Sequence, residues 1–146
     1  MNEPKKDSPV SKQQNVTLKV ATASQAAAVF LTALTKEQKE ERVYVLPLDA
    51  NGNVLAKPIP VSAGHIDGTT QVNLGAIFRE ALTRGAEEII VAHNHPSGDL
   101  TPSKADVEMT AKLREAAELL GVPVLDHLIL ADPNGYLSLA ENWQDG

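Results

Sequence analysis

The stretch EEIIVAHNHPSGDLTPSKADVEMTAKLREAAELLG, residues Glu87–Gly121, decides how this chain is read. Ile89–Ala92 is an apolar run without alternation, the pattern of a short strand buried on both faces. It ends in polar residues, so the strand delivers His93 at its C-terminal end. Pro96, Ser97, Gly98 and Asp99 are turn chemistry. Ser103, with the acidic Asp106 three residues later, is a capping box that opens a helix, and Gly121 stops it. The unit is therefore strand, turn, helix.

Outward from this unit the pattern repeats. On the N-terminal side, Asn73 caps a helix whose Leu74, Ile77, Phe78, Ala81 and Leu82 recur at helical spacing, with Gly85 as terminator. Before it, RVYVLPLDANGNVLAKPIPVSAG reads as two strands joined at the turn DANGN. Pro47 predicts a free edge or an irregularity in the first of them. TASQAAAVFLTALTKEQKEE reads as a helix capped by Thr22 or Ser24. Beyond Gly121, VPVLDHLILADPNGYLSLAE is another strand pair, around DPNG. The order α-β-β-α-β-α-β-β predicts an α/β domain over residues 16–146, a mixed sheet flanked by helices. Residues 1–15 are expected to be a disordered polar tail.

Composition narrows the function. The formal net charge is −6, aromatic residues are 3% of the chain, and Lys and Arg are scattered. Direct nucleic-acid binding needs a basic footprint, and none is expected here. There is no cysteine, which excludes disulfides and thiolate zinc sites, so any metal must rest on His, Asp and Glu. No apolar run is long enough to span a bilayer, and the polar N-terminus does not read as a signal peptide. A cytoplasmic protein is the expectation.

Residues i and i+2 of an extended segment share a face, so His93 and His95 can reach one ion. Asp106, in the first turn of the next helix, can fold back to join them. Two imidazoles and a carboxylate leave one tetrahedral position open for water, the arrangement of catalytic rather than structural zinc. Asp99 is a rival carboxylate. Glu41, in phase with Val43 and Val45 ahead of the first strand, is the candidate general base, with Glu37 and Glu40 close by. Ser103 is placed to steady an oxyanion. The literal tripeptide HNH is not the nuclease motif of that name, whose residues are spread over two strands and a helix.

His93-x-His95-x7-Ser103-x2-Asp106 with an upstream glutamate resembles the JAMM motif of JAB/MPN metalloproteases. AHNHPSGDLTPSKAD, followed by Thr110, VLDHLIL and GYLSLAE, is similar to the RadC branch over roughly residues 22–142. The resemblance implies a cytidine-deaminase-like fold and a Zn2+ ion held by His93, His95 and Asp106. It also implies Glu41 as base, Ser103 as oxyanion support, and hydrolysis of a peptide or isopeptide bond in a polypeptide substrate. RadC proteins usually carry a helix-hairpin-helix region where this chain has a polar tail. Gly75 and Ala76 stand where many relatives have Arg-Glu, and Asn94 lies between the histidines where eukaryotic isopeptidases have Ser or Thr.

His127 reads as a hydrogen-bonded strand histidine; alternatively, Asp126 or His127 orients a ligand or lines the substrate cleft. His65 is expected in an exposed loop, and Trp143 against a helix or a subunit contact. The competing functional expectation is a non-catalytic interaction module in DNA repair or DNA metabolism, its zinc site structural or vestigial. A fourth protein ligand such as His127 would mark that case.

Overall fold

The computed structural model describes residues 18–34, 40–61, 73–132 and 134–142. The expected tail, Glu37, His65 and Trp143 lie outside them.

Helix α1 (Ala23–Ala33) begins at Thr22, whose side chain accepts from Gln25 N–H while the Gln25 side chain returns to the cap backbone. Its Ala26, Ala27 and Phe30 face inward. Strand β1 (Val43–Leu48) is buried throughout. The hairpin that follows is longer than the sequence suggests. The turn closes with a Leu48–Val54 bridge, but β2 (Ile59–Val61) begins only after four intervening residues, opposite Val43–Val45. The two registers differ by two residues, so the ladder is interrupted between them. Pro47 sits at that interruption. Its carbonyl accepts from Leu55 N–H at 2.9 Å, so its missing N–H falls where the ladder is irregular.

Helix α2 (Leu74–Leu82) is capped by Asn73, as expected, and buries Ile77, Phe78 and Ala81. Strand β3 (Glu88–Asn94) leads to α3 (Lys104–Leu120), which is opened by the Ser103–Asp106 capping box and closed by Gly121 at φ +72°. Strands β4 (Val124–Leu130) and β5 (Tyr136–Ser138) and a 3-10 turn at Ala140–Asn142 complete the order.

The five strands form one sheet in the order β2-β1-β3-β4-β5. β3 and β4 are parallel, joined by α3, and the other pairs are antiparallel. The sheet is mixed and flanked by helices, as the sequence predicts. One face packs Tyr44, Leu46, Ile90, Ala92 and Leu128 against α1. The other packs Val43, Val45, Ile89 and Val91 against α2 and against Met109, Leu113 and Ala117 of α3. Because β3 is central, its C-terminal end carries His93 into this second layer, under the N-terminus of α3.

Leu113 fixes α3 on the sheet and is 1% exposed. Leu113→Ala should cost about 2–5 kcal/mol in urea unfolding, the usual loss for a buried leucine that leaves a cavity. A loss under about 1 kcal/mol would mean that α3 is held mainly at its ends.

Candidate metal centre

His93, Asp106 and His95 come together at the end of β3. The side chains of His93 and Asp106 are 0% and 1% exposed, and that of His95 is 10% exposed. One ligating atom from each lies within 4.8 Å of the others. His93 Nε2 is 2.9 Å from Asp106 Oδ1, His95 Nε2 is 3.1 Å from Asp106 Oδ2, and the two Nε2 atoms are 3.0 Å apart.

The protons of both rings follow from what lies behind them. His95 Nδ1 is 2.7 Å from the Asp99 carbonyl, which only accepts, so His95 carries its proton on Nδ1. For His93 the chain of partners is longer. The Thr110 hydroxyl donates to the Asp106 carbonyl at 2.9 Å, so it accepts from His127 Nδ1–H. His127 is fully buried, and burial with His93 beside it holds its pKa well below the ordinary imidazole range, so the ring is neutral. Its Nε2 is then bare and accepts from His93 Nδ1–H, 2.8 Å away. Both ligand rings thus carry a hydrogen on Nδ1 and turn Nε2 toward a carboxylate.

That carboxylate stays ionised. Burial pushes the Asp106 carboxyl up, but hydrogen bonding and charge from His93, the Ser103 N–H and His95 outweigh it and hold the group well below the usual range. Ser103 N–H donates to Oδ2 at 2.7 Å, and Asp106 N–H returns to the Ser103 hydroxyl at 3.0 Å. At the third position of α3 the helix dipole favours the anion as well.

When both rings are neutral, as ligation of a metal requires, three lone-pair atoms face one another at this spacing. That is repulsive unless a cation sits at their centre. A tetrahedral zinc with bonds of about 2.0 Å sets its ligands about 3.3 Å apart, within a few tenths of an ångström of the spacing found. The residues fit such an ion.

The other sequence candidates are distributed as follows. The Ser103 hydroxyl accepts the cap bond, which leaves its own hydrogen available. Asp99 is no rival ligand: its carboxylate accepts from Thr101 N–H at 2.9 Å and only its carbonyl serves the site. His127 stands behind His93, on Nδ1, rather than at the bare side of the site. Of the two alternatives for an orienting residue, His127 bonds to His93, whereas Asp126 accepts from the His127 backbone N–H at 2.7 Å. The register shift between Ile89 and Ile90 turns it away, and it accepts from Ser138 Oγ at 2.6 Å and from Ala140 N–H at 3.0 Å, anchoring the C-terminal turn. Glu41 is half-buried just ahead of β1. It stands two residues ahead of Val43, which pairs with His93. Thr110 was the missed member. Its signal was its place one helical turn after Asp106, on the same face.

The profile of the RadC-like JAB domain matches residues 20–144. The chain belongs to the RadC family. Among similar RadC relatives, a UPF0758 protein of Carboxydothermus hydrogenoformans is 44% identical over 102 residues, 70% of this chain and 44% of the relative. One from Staphylococcus haemolyticus is 36% identical over 127 residues, 87% of this chain and 54% of the relative. One from Thermosynechococcus vestitus is 43% identical over 115 residues, 79% of this chain and 45% of the relative. This RadC-like chain spans about half the length of the curated relatives it matches. No helix among the described residues is long and apolar enough to cross a membrane.

Since His127 is neutral when folded and ordinary when unfolded, the unfolded chain binds the extra proton between the two pKa values. Its contribution is full above about pH 6.5 and is lost as pH falls through that window, by at most about 1.4 kcal/mol per pH unit. Urea unfolding of the metal-free protein from pH 7.5 to 5.5 should show a slope of that sign, reduced in His127→Gln. An equal slope in both proteins would contradict the burial of a neutral ring.

Proposed function

We propose that this domain is a cytoplasmic zinc-dependent hydrolase that cleaves a peptide or isopeptide bond in a polypeptide. The observation behind it is the convergence of His93 Nε2, His95 Nε2 and the Asp106 carboxylate. A bound zinc supplies a Lewis acid there and brings the pKa of a coordinated water to about 7. His93, His95 and Asp106 would hold the ion, with His127 and the Asp99 carbonyl keeping the two rings in register. The Glu41 carboxylate would take the proton of the attacking water and pass it to the amine as the C–N bond breaks. The Ser103 hydroxyl, its lone pair engaged by Asp106 N–H, would donate its hydrogen to the carbonyl oxygen as that atom gains charge.

The arrangement of His127 favours this reading over a non-catalytic module in DNA repair. A closed structural site needs a fourth protein ligand. His127 is the nearby ring, and its Nε2 is committed to His93.

Metal analysis and cleavage of a peptide panel test the proposal together. The parent and Glu41→Gln should each hold one zinc per chain, His95→Ala none. Glu41→Gln should lose turnover by about 100-fold or more, the usual weight of a general base. Cleavage by Glu41→Gln at the parent rate would remove Glu41 from the role. Zinc bound with no cleavage by the parent would favour the interaction module.

A further inference from the structure

β3 parts from β1 at the metal centre, and one side chain bridges the gap. Val43 and His93 are the last paired residues at this end of the two strands, and Arg42 and Asn94 come next. Asn94 N–H donates to the Arg42 carbonyl at 3.3 Å. The reciprocal bond of a regular ladder would run from Arg42 N–H to the Asn94 carbonyl. Here Arg42 N–H donates instead to Asn94 Oδ1, at 2.7 Å. The other end of the same carboxamide, Nδ2, donates to the Glu40 carbonyl at 3.0 Å. Meanwhile β3 keeps company with β4 one residue further, His95 N–H donating to the Leu130 carbonyl at 2.7 Å. The strands therefore diverge at the step that would pair Glu41 with His95. The Asn94 carboxamide stands in for a peptide group and ties the backbone on both sides of Glu41. Asn94 is 2% exposed, so water is poorly placed to replace it.

We infer that Asn94 is a positioning residue for Glu41, locking residues 40–42 to the end of the strand that carries both histidine ligands. The inference rests on Glu41 being the proton acceptor proposed above. It gives the residue between the two histidines a task that neither metal binding nor core packing requires. Only a side chain with one acceptor and one donor, at this length, satisfies both backbone groups. Aspartate keeps the acceptor for Arg42 N–H but sets an oxygen against the Glu40 carbonyl. Alanine leaves both groups unpaired. A displacement of about 1 Å in a catalytic group costs on the order of 100-fold in rate, so the lock matters even where the fold survives.

Asn94→Ala and Asn94→Asp test this beside Glu41→Gln. In the metal-free proteins, hydrogen exchange at the amides of residues 40–42 should quicken roughly tenfold in both Asn94 variants. With cobalt bound, the pH midpoint of the visible spectrum should move in Glu41→Gln, and in the Asn94 variants in the same direction, with the cobalt dissociation constant unchanged. Exchange at parent rates would overturn the lock. A parent-like midpoint in the Asn94 variants, where Glu41→Gln shifts, would overturn the positioning role and leave Glu41 standing. A parent-like midpoint in Glu41→Gln would remove Glu41 from the site, and this inference with it. Should Asn94→Ala fail to fold, Asn94→Asp, which keeps the volume and one bond, carries the same comparison.

Discussion

The site depends on where three hydrogens are. His95 gives its Nδ1–H to the Asp99 carbonyl, His93 gives its own to His127, and His127 passes the constraint to Thr110. Each chain ends on a backbone carbonyl, which cannot donate, so neither ring is free to flip its tautomer. The fold thereby turns both Nε2 atoms toward an ionised Asp106, 2.9–3.1 Å away. When the two rings are neutral, such an arrangement of acceptors is costly in a buried place, and a cation relieves it. Much of the surrounding structure follows from keeping that cluster in place.

Asp106 shows how one residue serves two ends. Its carboxylate closes the capping box with Ser103, so the start of α3 and the ligand geometry are the same set of bonds. Thr110, one turn on, ties the helix to His127 on β4. α3 is also the crossover that makes β3 and β4 parallel, which brings the ends of both strands beneath the helix N-terminus. Ligand, cap and crossover cannot be altered separately.

The sequence made the layout legible because its signals are local. The buried run before His93, the Ser103–Asp106 box and the Gly121 stop each act within a few residues. The element order came through intact, as did the joining of His93, His95 and Asp106. What stayed hidden depends on register. Asp126 and His127 are neighbours with equal claims in sequence, and a one-residue shift against β3 sends one to the C-terminal turn and the other to His93. The interruption between Val54 and Ile59 has no sequence signal beyond the prolines. Thr110 and Asn94 act through partners 17 and 52–54 residues away, which no local pattern displays.

X-ray absorption at the zinc edge of the loaded protein addresses the central claim directly, because multiple scattering counts imidazoles. The account predicts two imidazole nitrogens at about 2.0 Å, with oxygen completing the shell. Three imidazoles would place His127 on the ion, break the tautomer chain described here and contradict the account.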